Sequence, residues 1–191
     1  MNIKDLLLHN RSYRRFAQET KLNNNDLREL IDSVRLSPSA RNDQVLRFIL
    51  INTKEACDKL FPNTAWAGYL TEWPGPAVHE QPTSYIIILT PKAPSQFVLM
   101  DVGIASQSIL LNAVEKGFGG CILGSVKRKA VRELFEIDEK YDISVVIALG
   151  KPAETVVIED IVKGDTHYYR DGKDVHHVPK RSVDELILNI L

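Results

Sequence analysis

The chain has 191 residues, 44% of them apolar, which supplies a sizeable core for one domain over 1–191, with or without extended arms. A formal net charge of −1 gives no global field to recruit nucleic acid or an anionic membrane. Cys57 and Cys121, far apart and without CxxC or His-rich spacing, argue against a disulfide framework and read as free thiols in a reducing compartment.

Residues 2–10 pattern as a short amphipathic helix with Ile3, Leu6 and Leu7 on one side. The opening residues lack the basic head and uninterrupted apolar run of a signal peptide, and no stretch is expected to reach the length of a membrane span, so a soluble cytoplasmic protein is expected. The cluster Arg11, Ser12, Arg14 and Arg15 follows. Such a cluster is a solvated turn or an anion site, since arginine offers a fork of donors matched to phosphate oxygens and serine adds a neutral one. A second helix is predicted over 24–37, capped by Asn24 or Asn25 and ended by Pro38. The polar loop Ser39–Gln44 then precedes a strand over 47–52. Its Asn42 and Gln44 each carry a donor and an acceptor, suited either to a turn or to the edge of a planar heterocycle.

A helix over 54–61 leads into an irregular stretch, 62–82, holding Trp66, Tyr69 and Trp73 among glycines and prolines. Its aromatics favour a substrate lid or a dimer arm over disorder. Residues 84–90 form a buried strand. Residues 95–124 are the stretch around which the rest is organised. No charge lies between Asp101 and Glu115, and apolar residues occupy more than one face, the pattern of a helix buried nearly all round. It reads as the spine of a dimeric core. The run Gly117, Gly119 and Gly120 stops it and is expected to leave a freely turning backbone whose N–H groups serve a bound cofactor. A helix over 127–136, a strand over 143–149 closed by Gly150–Pro152, a mostly irregular segment over 153–181 and a helical end over 182–191 complete the chain.

The glycine run follows a helix instead of joining a strand to a helix, so it is not a dinucleotide fingerprint. No nucleophile elbow, Walker lysine or metal-ligand spacing is present; His176 and His177 would point to opposite sides of a strand, and Cys121 has no evident base. No catalytic side chain and no metal ligand is therefore assigned.

Taken in order, Arg11-Ser12-x-Arg14-x-Phe16, Pro38-Ser39-Ala40-x-Asn42-x-Gln44, Asp101-x-Gly103-x-Ala105-x-Gln107 running on to Gly117-x-Gly119, Gly150-Lys151-Pro152 and Pro179-Lys180-Arg181 resemble the nitroreductase family of flavin enzymes, specifically a short-chain subgroup. The resemblance implies a homodimeric α+β fold, a three-layer α/β/α sandwich around a mainly antiparallel sheet, with FMN at sites shared between subunits and NAD(P)H as reductant. Carried over by position, Arg11, Ser12, Arg14, Lys180 and Arg181 would hold the phosphate and ribityl chain. Ser39, Ala40, Asn42 and Gln44 would line the flavin from the partner subunit, and Cys121, Ile122, Leu123 and Gly124 would pass its ring. The implied activity is ping-pong electron transfer from NAD(P)H to a small aromatic or quinone-like acceptor. A flavin-binding protein without turnover and a cofactor-free structural dimer remain open at this point. Asn10, Val45 and Leu123 depart from residues common in the family.

Overall fold

Residues 1–191 are all described by the structure, a computed structural model, and they cluster into two units. The first comprises residues 1–66 and 75–153, the second residues 67–74 and 154–191.

The first unit is built on one strand. Ser84–Pro91 (β3) is a continuous apolar run, buried on both faces, which requires a layer of helices on each side. Its pleat sends alternate side chains to opposite layers. Tyr85, Ile87 and Leu89 pack with Cys57 and Leu60 of the helix Lys54–Leu60 and Val131 of the helix Arg128–Leu134. Ile86 and Ile88 pack with Leu27 and Leu30 of the helix Asn24–Arg35, and with Val102, Ala105, Ile109 and Ala113 of the helix Gln96–Glu115. In chain order these elements, with Ile3–His9, give helices α1 (3–9), α2 (24–35), α3 (54–60), α4 (96–115) and α5 (128–134). The strands are β1 (Phe16–Ala17), β2 (Arg47–Ile51), β3, β4 (Gly119–Leu123) and β5 (Tyr141–Pro152). They pair antiparallel throughout, in the order β1-β5-β3-β2, with β4 also on β5. The expected α+β sandwich with an antiparallel sheet is thus the observed architecture of this unit.

Helix α4 ends in a Schellman turn: Gly117 takes a left-handed φ of +78°, its N–H reaches Val114 O, and the Phe118 N–H reaches Ala113 O. The ammonium of Lys151 donates to the Gly117 carbonyl at 2.9 Å. The expectation of burial all round is corrected in the single chain. Val102, Ala105, Ile109 and Ala113 face the sheet, whereas Phe97, Met100 and Ile104 are 40–59% exposed on the other side. By length and composition alone this helix could also cross a membrane, contrary to the expectation from sequence. A core helix with one face on a sheet meets the same criterion, because apolar packing and lipid solubility select the same side chains.

The glycine run needs a second correction. Only Gly117 uses glycine's conformational freedom; Gly119 and Gly120 lie in β4, hydrogen-bonded to β5, so the backbone from 119 to 123 does not turn freely. Their role is steric. A methyl on Gly120 would collide with the carbonyl oxygen of Ala148 and stand 2.9 Å from side-chain carbons of Leu110 and Leu149. β5 likewise runs past Leu149 instead of closing there, because Gly150 leaves room for the Phe16 ring and Pro152 pairs with Phe16 of β1. The N-cap of α2 is Asn23, one residue before the predicted cap, where its side chain accepts from the N–H groups of Asn25 and Asp26.

The second unit carries a sheet that the pattern did not show. Val156–Asp160 (β6) and His176–Lys180 (β8) pair in parallel, and Tyr169–Arg170 (β7) pairs antiparallel to β8. The strands are short, β7 has two residues, and β8 contains two histidines and a proline, so no run of alternating apolar residues announces them. Of the predicted C-terminal helix only Val183–Leu186 (α6) forms, with its Ser182–Glu185 capping box; residues 187–191 are not helical. Tyr69 packs on His167 and Tyr168, and the Arg170 guanidinium lies 4.5 Å from the centre of the Trp73 ring while pairing with buried Glu154 at 2.6 Å. These aromatics of the irregular stretch are therefore held by partners in their own unit.

His177 fastens the three strands. Its Nδ1 is 2.7 Å from Glu159 of β6, its Nε2 is 3.4 Å from Asp171 beyond β7, and its ring stacks on Tyr169 of β7 at 4.7 Å. The hydrogen bond to Glu159 leads in raising the imidazole pKa above 6.5, against a smaller opposing effect of desolvation. A raised folded-state pKa means this contribution is complete below the unfolded value of about 6.5 and is lost as pH rises through the folded value. Amide exchange over residues 156–180 is thus expected to quicken between pH 6 and pH 9 beyond the intrinsic base-catalysed increase, and His177→Gln should remove that excess. Equal protection profiles for the parent and His177→Gln at every pH would refute this.

Candidate functional site

Leaving α1 at its C-cap, Asn10 donates its side-chain amide to Gln107 of α4 at 3.2 Å, which aims the following residues along the sheet. Ser12 then forms a parallel bridge with Gly120, and the Tyr13 N–H donates to Gly120 O at 3.0 Å. The arm Arg11–Arg14 is thereby fixed beside the start of β4. The Tyr13 ring occupies the space that a side chain on Gly119 would need. Arg11 donates through Nη2 to Leu7 O at 2.7 Å, yet its Nε is buried without an acceptor. Burial lowers its pKa, with Tyr13 opposing. Arg14 is 8% exposed and donates to the Ser12 carbonyl at 3.2 Å. Arg11 is thus a partly desolvated guanidinium with an unused donor, and an anionic oxygen would satisfy both its charge and its Nε–H. The arm therefore fits a phosphate.

The loop Ser39–Gln44 holds three non-glycine residues in left-handed geometry, Arg41 (φ +52°), Asn42 (φ +59°) and Gln44 (φ +47°). Each such residue costs on the order of 1 kcal/mol or more, and a cluster of them persists only where surrounding contacts dictate it. Within the loop, the Asn42 N–H reaches Ser39 O and the Gln44 N–H reaches the Ser39 hydroxyl at 3.1 Å. Outside it, buried Asp101 of α4 accepts the Ala40 N–H at 3.0 and 3.2 Å through its two oxygens. A largely apolar cavity of about 180 Å³ opens beside Ser39, Gln44, Asp101 and Ile104. None of Arg11, Ser12 and Arg14 lines it. In one chain, then, the predicted phosphate arm and the predicted ring-lining loop hang on different stretches of α4.

In β4, Cys121 and Leu123 point into the core and Ile122 faces outward, at the sheet's edge; Gly124, just after the strand, is exposed. Lys180 ends β8 and is exposed; Arg181 follows it, exposed, with Nη1 3.5 Å from Glu185. Cys57 has its thiol pKa pushed up to about 11 by burial and is not a nucleophile near neutral pH. Two features escaped the reading from sequence: the grip of Asp101 on the loop and the Asn10–Gln107 link. The one available sign was the lone carboxylate within a helix otherwise uncharged from residue 96 to 114.

The site is thus a helix-sandwiched antiparallel sheet whose strand β4 carries a cationic arm with an unused buried donor. The model of the nitroreductase family matches residues 7–151, and the chain belongs to that family of FMN-dependent oxidoreductases. Among its relatives, YdgI of Bacillus subtilis (strain 168), named as a candidate NAD(P)H nitroreductase, is 24% identical over 184 residues, covering 78% of this chain and 88% of that protein. An FMN-dependent nitroreductase of Clostridium difficile R20291 shares the fold with a TM-score of 0.64 at 22% identity, covering 85% of this chain and 92% of that one. A structure from Exiguobacterium sibiricum 255-15, solved in complex with FMN, shares it with a TM-score of 0.68 at 16% identity, covering 81% and 90%.

Proposed function

We propose that the chain acts as a cytoplasmic homodimer that binds FMN at sites shared between subunits and passes electrons from NAD(P)H to a small aromatic or quinone-like acceptor in a ping-pong cycle. The observation that carries this reading is the buried Arg11 Nε without an acceptor, at the position the family motif gives to phosphate binding. Arg11, Ser12 and Arg14 would take the phosphate and ribityl chain, and the motif adds Lys180 and Arg181 as further cations. Ser39, Ala40, Asn42 and Gln44 would line the ring from the partner subunit. Cys121, Ile122, Leu123 and Gly124 would run along it as an ordered strand edge.

Bound FMN supplies the two-electron chemistry, and the protein's part is to hold it, set its electrostatic surroundings and leave one face open to reductant and acceptor in turn. Arginines beside the phosphate offset its charge, and the sheet edge excludes water from one side of the site. No side chain is assigned as acid or base. The exposed apolar side of α4, Phe97, Met100 and Ile104, supports the dimer, since an apolar face of this kind is ordinarily covered.

The purified protein is expected to be yellow, to bleach anaerobically with NAD(P)H and to recover colour with a quinone or nitroarene, while sedimenting as a dimer at micromolar concentration. Bound flavin that NAD(P)H does not bleach would favour a binding protein without turnover. A colourless protein that takes up no FMN would overturn the proposal, and a monomer would overturn the shared sites.

A further inference from the structure

We infer that Asp101 is a positioning residue, holding the left-handed loop Ser39–Gln44 in place against α4 through the backbone N–H of Ala40 so that the loop can meet the flavin; the last step rests on the function proposed above. Asp101 is 5% exposed and forms no ion pair, an unfavourable setting for a carboxylate unless its position serves the fold or the site. Both of its oxygens are directed at one donor, the Ala40 amide, at 3.0 and 3.2 Å. Ala40 is the residue immediately before the left-handed pair Arg41 and Asn42. The loop's other hydrogen bonds run within residues 39–47: Asn42 N–H to Ser39 O, Asp43 N–H to Ala40 O, Gln44 N–H to Ser39 Oγ, and Arg47 to the Gln44 and Leu46 carbonyls. Those bonds fix the loop's shape but not its place. The Asp101 contact ties that shape to α4, the most extensive helix of the unit, and so sets where Asn42 and Gln44 are presented. A neutral acceptor in the same place would do the same work, so the requirement is for an oxygen at this position.

The experiment compares Asp101→Asn, which keeps an oxygen, with Asp101→Val, which keeps similar bulk without an acceptor, and with Asp101→Ala, which avoids crowding should the valine variant fold poorly. In the flavin-free protein, amide exchange at Ala40 is expected to quicken about tenfold in the valine and alanine variants and to stay near the parent rate in the asparagine variant, the effect of losing one ordinary hydrogen bond. In titrations with FMN, the Kd is expected to rise about tenfold for valine and alanine, with rescue by asparagine. A packing role alone would be rescued by valine and not distinguished by asparagine. Unchanged exchange at Ala40 in the valine and alanine variants, or an asparagine variant as impaired as they are, would overturn the inference. Altered Ala40 exchange with no FMN binding by the parent would leave the Asp101 tether standing and overturn the flavin reading. Altered exchange with an unchanged Kd would overturn the claim that the tether serves the ligand.

Discussion

Gly120→Ala is expected to destabilise the protein by about 3 kcal/mol, at the upper end of what overpacking a core costs. The added methyl has no room: the Ala148 carbonyl lies on one side and the Leu110 and Leu149 side chains on the other, so β4 must part from β5 or α4 must lift from the sheet. The same displacement would disturb the site, because the Gly120 carbonyl receives the Tyr13 N–H that seats the Arg11–Arg14 arm. Gly124→Ala, just after β4, meets nothing within 4 Å and is the control, expected to stay within about 0.5 kcal/mol of the parent. Urea unfolding followed by circular dichroism reads both. Coincident midpoints for the two variants would show that the close approach at Gly120 is not what the glycine is for.

The second large effect is expected at Arg11. Removing it as Arg11→Ala should raise the Kd for FMN by about 10- to 100-fold, the range expected for losing a hydrogen bond to a charged group. Stability without flavin should change by no more than about 0.5 kcal/mol, because the truncation also relieves a desolvated charge that the chain itself does not neutralise. Arg11→Lys should recover only part of the affinity, since an ammonium is a point charge without the guanidinium fork. An arginine kept for packing alone would give the opposite pattern: lost stability in the flavin-free protein and an unchanged Kd. Fluorescence titration with FMN and unfolding of the flavin-free protein together separate the two.

Much of the fold was legible because it follows from periodicity. The run at 84–90, the stripe of α2 and the uncharged helix ending at Gly117 each needs only local pattern and a terminator, and each stands where that pattern puts it. The glycines after the helix were misread for a physical reason. A glycine that turns and a glycine that makes room look identical in a sequence, and only the neighbours, Ala148 and Tyr13, tell them apart. The second unit's sheet was missed because its strands are short and are fastened by polar side chains such as His177 with Glu159, so apolar alternation carried no signal.

The site divides in the same way. Arg11, Ser12, Arg14 and the loop 39–44 could be named from motif and residue chemistry, but not their surroundings. By itself the sequence determined the central sheet's buried strand, the helix that covers it, the family and the donor groups suited to a phosphate, since these depend on residue types and spacing along the chain. Only the tertiary structure decided that Arg11 is left with an unused buried donor, that Asp101 grips Ala40 from 61 positions away, and that one face of α4 stays uncovered in a single chain. Burial and hydrogen-bond satisfaction are properties of neighbours brought together by folding, and no local pattern contains them.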